Sequence, residues 1–382
     1  MIAPESIPLG LYIHLPWCLK KCPYCDFNSH EASATPFERY VDALLADLDS
    51  ELVDTAARHV QTVFIGGGTP SLFPGHSVRR LLDGIRARIT LANDAEVTLE
   101  ANPGAADAAR FEAFLAAGVN RLSIGVQSFA DERLRAIGRV HSAHEGIAAV
   151  TAARDAGCER INIDLMHGLP GSGRGDALND LRVAIELEPQ HVSWYELTLE
   201  PGTAFARKPP PLPDDDAIAT ETEAGIELLA AAGFDRYEVS AYARPGQQSR
   251  HNLNYWTFGD YLGLGAGAHG KLSRPDGIFR TTRRRSPVSY MAQAGTPAAR
   301  DVSGPASPAD VVMEFALNAM RLRHGFSTIL FRERTGLPAS LLDEPCARAL
   351  AQGWLERSDE NVRPTAFGYR FLNDLQSLFL AP

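Results

Sequence analysis

The chain has 382 residues, 45% of them hydrophobic and 22% charged, enough for one large domain and a smaller one. Its 37 Lys and Arg face 47 Asp and Glu, a formal charge of -10. That argues against a general nucleic-acid binder, which needs a basic face to displace counterions. No apolar run reaches the roughly eighteen residues of a membrane span. Five cysteines, an odd number with no secretory signal before them, argue against a disulfide framework. The stretch Met1 to Ser6 leads into no apolar core, so no targeting peptide is expected and the expected location is cytoplasmic.

In chain order, the apolar run Leu9 to Leu15 predicts a buried strand. It leads into Cys18-Leu19-Lys20-Lys21-Cys22-Pro23-Tyr24-Cys25, three thiols with three and then two residues between them. Three thiolates in one short loop can hold three irons of a [4Fe–4S] cube, and the fourth iron is then open to another ligand. The same thiols with His14 or His30 would also make a structural zinc site. Cys158 and Cys346 have no partner spacing.

Thr35-Pro36-Phe37-Glu38 reads as a capping box opening a helix, with Tyr40, Val41, Leu44, Leu45, Leu48 and Leu52 on one face. Val60 to Ile65 predicts a second strand, ending in Gly66-Gly67-Gly68-Thr69-Pro70. Such a glycine run is either a tight turn or a place where a ligand approaches backbone; it is not a P-loop. A helix through Leu81, Leu82 and Ile85 precedes a strand over 96–100, a helix near 107–116 and a strand over 121–126. Ser142 to Glu145 is a second capping box, and its helix stops at Gly157. Then come a strand over 161–165, a helix over 175–188 and a strand over 192–197.

Six strands alternating with helices, without hairpin signals, predict an α/β fold: parallel strands and crossover helices in a partial (β/α)6 TIM-like barrel. In such barrels the chemistry sits at the C-terminal strand ends, where the cysteine loop, the glycine run, Glu100, Gln127 and Asp164 fall. A proline-rich loop at 209–213 precedes a helix near 214–232, and 236–285 shows no clear periodicity. The Pro-, Gly-, Ser- and Ala-rich 286–308 reads as a linker. A small, mainly helical C-terminal domain follows, with a helix over 308–323 and two more between 327 and 352. A hairpin over 354–365, turning at Asp359-Glu360-Asn361, gives it a winged-helix look. With Arg332 and Arg334 the obvious basic residues there, DNA binding is not expected. The expected division is 1–235 for the barrel, 236–305 for an extension and linker, and 306–382 for the C-terminal domain.

The cysteine loop and strand-end glycines together resemble the radical S-adenosylmethionine (SAM) superfamily, whose members commonly use a partial (β/α)6 barrel and chelate the free iron with SAM. A closer resemblance is to the oxygen-independent coproporphyrinogen dehydrogenases and their haem-chaperone relatives, the HemN and HemW families. Tyr12 to Pro16, the cysteine loop, Gly66 to Pro70, Leu99-Glu100, Asn120 to Phe129 and Asn162 to Pro170 carry it. The C-terminal domain also resembles the family's.

By that resemblance Cys18, Cys22 and Cys25 hold the cluster, and Tyr12, Gly67 and Glu100 contact its SAM. Tyr24, Gly68, Thr69, Gln127, Arg139 and Asp164 match positions that contact a second SAM in the dehydrogenases, with Thr198 a looser match. Two departures point to the chaperones. Phe27 stands where the dehydrogenases have an extra cysteine, and only eleven residues precede Tyr12, where they carry a longer extension.

His251-Asn252-Leu253-Asn254-Tyr255-Trp256 matches the chaperones' HNxxYW signature. His251 is then the leading haem ligand, with Tyr255 and Trp256 packing on the macrocycle and His269 the next ligand to consider. Without the family context, a hydrogen-bonded structural histidine is the better reading of His251. Arg280, Arg283, Arg284 and Arg285 read as a solvated face, with haem propionates the alternative partner.

The expected function is a haem chaperone that binds haem, one [4Fe–4S] cluster and SAM and passes haem to acceptor haemoproteins. Any membrane contact would be peripheral and made through those acceptors. The alternative is the dehydrogenase itself, an enzyme of oxidative decarboxylation in porphyrin biosynthesis.

Overall fold

The computed structural model describes residues 2–31, 35–55, 58–105, 107–358 and 360–380. Strand β1 (Leu9–Leu15) is buried along its whole length except at Tyr12, as a parallel strand covered on both faces must be. After it come α1 (Phe37–Thr55), β2 (Val60–Gly67), α2 (Gly75–Arg86), β3 (Leu91–Ala101), α3 (Ala108–Ala117) and β4 (Arg121–Gln127). The alternation continues with α4 (Ala143–Asp155), β5 (Ile161–His167), α5 (Asp176–Glu186), β6 (His191–Glu196) and α6 (Asp215–Ala231). These six strands pair in parallel in chain order, so the α/β partial barrel expected from the alternation is present. Tyr40, Leu44 and Leu48 of α1, Leu81 and Ile85 of α2, and Phe111 and Phe114 of α3 bury their apolar faces in its core.

Local signals worked unevenly. Ser142 and Glu145 form the predicted capping box, with the Ser142 N–H donating to the Glu145 carboxylate at 2.7 Å. Glu38 instead accepts from Ser77 at 2.5 Å and from Arg80 at 3.0 Å, tying α1 to α2. Those donors come from a neighbouring helix, which local spacing cannot reveal.

The stretch without periodicity extends the sheet at both edges. Strand β7 (Ala241–Ala243) runs antiparallel to β6. After α7 (Arg250–Trp256), β8 (Asp260–Leu264) joins the opposite edge, parallel to β1. Strands β9 (His269–Arg274), β10 (Gly277–Arg283) and β11 (Arg300–Ser303) then continue outward, antiparallel. The supposed linker therefore contains structure: α8 (Pro287–Gln293), capped by Ser286 with Pro287 in its first turn, and β11. Its Ser-Pro pair is a helix start rather than a spacer.

The arginine cluster is likewise no solvated face. The Arg283 side chain is 0% exposed; its Nε lies 2.9 Å from Asp47 and its Nη2 2.5 Å from Glu51, both on α1. The Tyr290 hydroxyl donates to Asp47 at 2.8 Å, and Arg300 also pairs with Glu51. Arg280 pairs with Glu314, and Arg284 with Asp301. The sheet extension is thus clamped to α1 by buried charge.

A second core lies around α9 (Pro308–Ala319), where Val311, Phe315, Phe331, Leu342, Cys346, Leu355, Val362 and Leu375 pack with Phe258 and Ile278 of the extension. Strands β12 (Phe326–Ser327), β13 (Leu355–Arg357) and β14 (Asn361–Pro364) form a small antiparallel sheet in the order β12-β14-β13 beside helices, as in a winged helix. Asp359 of the predicted hairpin turn lies outside the described residues. Among the described residues no helix is long and apolar enough to cross a membrane.

Candidate cluster and cofactor site

The cysteine loop leaves β1 through Trp17, whose buried indole packs on Tyr40 (ring centroids 4.6 Å apart) and on Phe73 (6.1 Å). The glycine run is stitched to it: the Gly68 N–H donates to the Leu15 carbonyl at 2.8 Å and the Thr69 N–H to the Trp17 carbonyl at 2.7 Å. A Cβ at Gly68 would lie 2.6 Å from the Trp17 carbonyl oxygen. Gly67 has φ +117°, and a Cβ there would lie 2.6 Å from the His14 ring. Gly68 needs glycine because the loop and β2 approach there backbone to backbone, and Gly67 because of its left-handed φ and the His14 ring beside it.

Cys18, Cys22, Cys25, Tyr24, Gly67, Gly68, Thr69, Glu100, Gln127, Arg139 and Asp164 line one cavity at the C-terminal strand ends. Phe27, 60% exposed, stands at its edge. All three thiols are free, Cys18 buried and the others half-buried. Burial pushes the Cys18 and Cys25 thiols above the ordinary range. The Arg139 guanidinium lies 3.9 Å from the Cys22 sulfur.

Among the described residues, no three His, Cys, Asp or Glu side chains gather closely enough to hold a single metal ion. A [4Fe–4S] cube makes no such demand, since it takes one thiolate at each of three separate irons. His14 offers the thiols no free nitrogen: its Nδ1 is 2.9 Å from the Tyr12 hydroxyl and its Nε2 2.8 Å from the Asn28 carbonyl. His30 does not line the cavity.

The far wall is acidic. The Gly67 N–H donates to Glu100 at 3.0 Å, yet burial, with the nearby Asp164 charge adding to it, pushes the Glu100 carboxyl up to about 8. Asp164 is also raised by burial, although Ser123 donates to it at 3.0 Å and Asn162 at 2.7 Å. Arg139 lines the same cavity; it donates to the carbonyl of Gly125, the cross-strand partner of Asp164, at 2.5 Å and keeps a buried Nε without a partner. Carboxyl and guanidinium groups lining one cavity suit a guest carrying both an ammonium and a carboxylate, as SAM does.

Gln127 sits in the left-handed region at φ 70°, beside a register shift between β4 and β5, and accepts from the Tyr195 hydroxyl at 2.8 Å. Strained backbone of this kind persists only where its surroundings hold it, and it clusters at functional sites.

Three expectations land elsewhere. Tyr12 does not reach the cysteine cavity; it opens into a neighbouring cleft with Tyr255, Trp256 and His269. His251 opens into neither. It is 1% exposed, with Nδ1 2.8 Å from Thr62 and Nε2 2.9 Å from the Tyr255 hydroxyl, and its ring stacks on Phe64. Burial takes its pKa down to about 3. Both nitrogens are occupied, so the arrangement is that of a structural histidine, holding α7 against β2 while the next turn turns outward. Thr198 bonds Glu200 at 2.8 Å and lies off the cavity.

Ser123 and Tyr195 also line the cavity, and sequence reasoning missed both. Tyr195 was findable, since it lies near the C-terminal end of a predicted parallel strand. Ser123 lies inside the resembling stretch Asn120 to Phe129 but in mid-strand, away from the strand end that marks site residues.

A pH prediction follows from Glu100. Its folded pKa of about 8 exceeds the ordinary 4.5, so between those values the folded protein keeps a proton that the unfolded chain has lost. Stability therefore falls as pH rises through that window. In cofactor-free protein, Glu100→Gln should be more stable than wild type by a margin that widens from pH 5 to pH 8 in urea unfolding. A margin independent of pH would contradict this.

A three-cysteine loop on the first strand of a parallel partial barrel, facing a carboxylate-lined cavity at the strand ends, defines a radical SAM protein. Residues 12–184 match the family model of the Radical SAM superfamily and 306–371 that of the HemN C-terminal domain. The solved structure of coproporphyrinogen III oxidase (HemN) from Escherichia coli superposes with a TM-score of 0.81 over 99% of this chain and 91% of that one. At 23% identity that likeness speaks for the fold. The chain is 50% identical to heme chaperone HemW of Escherichia coli (strain K12), over 98% of each. It is 45% identical to heme chaperone HemW of Haemophilus influenzae, over 99% of each. The chain belongs to the HemW haem chaperone family.

Proposed function

We propose that this protein is a cytoplasmic haem carrier that binds one [4Fe–4S] cluster, SAM and haem and passes haem to acceptor haemoproteins. The observation that carries the reading is the convergence of three free thiols, Glu100, Asp164 and Arg139 on one cavity, within a chain whose full-length relatives are named heme chaperones. Cys18, Cys22 and Cys25 would hold the cluster, which when bound supplies an open iron for the amino-acid end of SAM. Glu100 and Asp164 would accept from the ammonium or ribose hydroxyls, and Arg139 would pair with the carboxylate. Phe27 supports carriage over porphyrinogen oxidation: a phenyl ring at the cavity edge replaces the extra thiol of the dehydrogenases.

With SAM and a low-potential reductant, anaerobically reconstituted protein should leave coproporphyrinogen III unconverted. The same preparation should bind haem saturably and transfer it to an apo-haemoprotein. Robust formation of protoporphyrinogen IX without haem affinity would reverse the reading in favour of the enzyme.

A further inference from the structure

The cleft beside the cysteine cavity measures about 560 Å³, within the ~300–1,000 Å³ of cofactor sites. Tyr255 and Trp256 of α7 and Tyr261 of β8 give it aromatic walls, and Asn318 of α9 borders it from the second core. Phe27 lines both this cleft and the cysteine cavity, so the two spaces share a wall.

His269 opens β9 on the rim of this cleft, exposed. Its Nδ1 lies 3.3 Å from the hydroxyl of Thr282, its cross-strand partner on β10. Its Nε2 has no hydrogen-bond partner among the described residues. A threonine hydroxyl can donate to or accept from Nδ1; in the tautomer whose Nδ1–H donates to Thr282, the Nε2 lone pair points outward, the arrangement in which imidazole binds iron. His251, with both nitrogens occupied in the core, has no such lone pair.

Arg285 is exposed on the same rim. Arg280, Arg283 and Arg284 are each paired with a carboxylate, whereas Arg285 makes no ion pair among the described residues. Aromatic walls, one accessible imidazole nitrogen and one uncommitted guanidinium match the three parts of haem: the macrocycle, the iron and a propionate.

We infer that haem is carried in this cleft, with His269 as its axial ligand and Arg285 pairing a propionate. His251 is a positioning residue that holds the cleft wall through the Tyr255 hydroxyl. The inference rests on the haem-carrying reading above.

Titration of the full-length protein with ferric haem tests it, with metal-free protoporphyrin IX run in parallel. His269→Ala should shift the Soret band of the complex and weaken haem binding by roughly tenfold or more, since even outer-shell partners of metal ligands act on that scale. Protoporphyrin IX, which has no iron, should bind His269→Ala as it binds wild type. Arg285→Ala should weaken both ligands without moving the haem spectrum. His251→Gln should keep the wild-type haem spectrum. Wild-type spectrum and affinity in His269→Ala would overturn the assignment, as would equal loss of both porphyrins, which would mark a merely structural residue. No haem binding by wild type would instead sink the haem-carrying reading itself.

Discussion

Anaerobic reconstitution with iron and sulfide should load wild-type protein with about four irons per chain and leave Cys18→Ala, Cys22→Ala and Cys25→Ala nearly iron-free. Each thiol lines the same cavity, and among the described residues no histidine or further cysteine lines it. His14 has both nitrogens engaged, and the two remaining cysteines are 5% and 0% exposed, Cys158 in the barrel core and Cys346 in the second. Replacing either of those with alanine should leave iron content intact and cost packing only. Iron and sulfide assays with the visible absorption spectrum decide the matter. Stoichiometric zinc without a stable cluster in wild type would remove the basis of the proposed function.

Arg283→Met should lower the free energy of unfolding by roughly 3–5 kcal/mol, the range for removing one partner of a buried ion pair. The arginine links β10 to Asp47 and Glu51 of α1 with all three side chains almost wholly buried. After the substitution Arg300 still pairs with Glu51 and Tyr290 still bonds Asp47. The uncompensated charge therefore falls mainly on Asp47, and Asp47→Asn in the same chain should recover part of the loss. Urea unfolding measures both. A single variant as stable as wild type would show that the pair only balances its own desolvation.

The barrel was legible because its signals are local. Strands such as Leu9 to Leu15 are buried on both faces and read as unbroken apolar runs, and capping residues mark the helices between them. Parallel topology then puts every strand's C-terminal end at one mouth, so Cys18, Gly67, Glu100, Gln127 and Asp164 converge whatever lies between them. Strand β8 was hidden for the converse reason. It pairs with β1 across some 250 residues, since Leu9 faces Asp260, and its short run carries no crossover pattern to announce it.

By itself, then, the sequence determined the six-unit barrel, the cluster loop and most of the cavity wall, because covalent spacing and strand direction suffice to place them. The tertiary structure alone decided what each polar side chain does once the chain is packed. An arginine-rich stretch reads as solvated until Asp47 and Glu51 arrive from α1 to enclose Arg283. A signature histidine reads as a ligand until Thr62 and Tyr255 occupy both its nitrogens, while His269 keeps one free at a cleft. Whether a buried polar group is satisfied depends on partners distant in sequence, and only the folded chain brings them within hydrogen-bond reach.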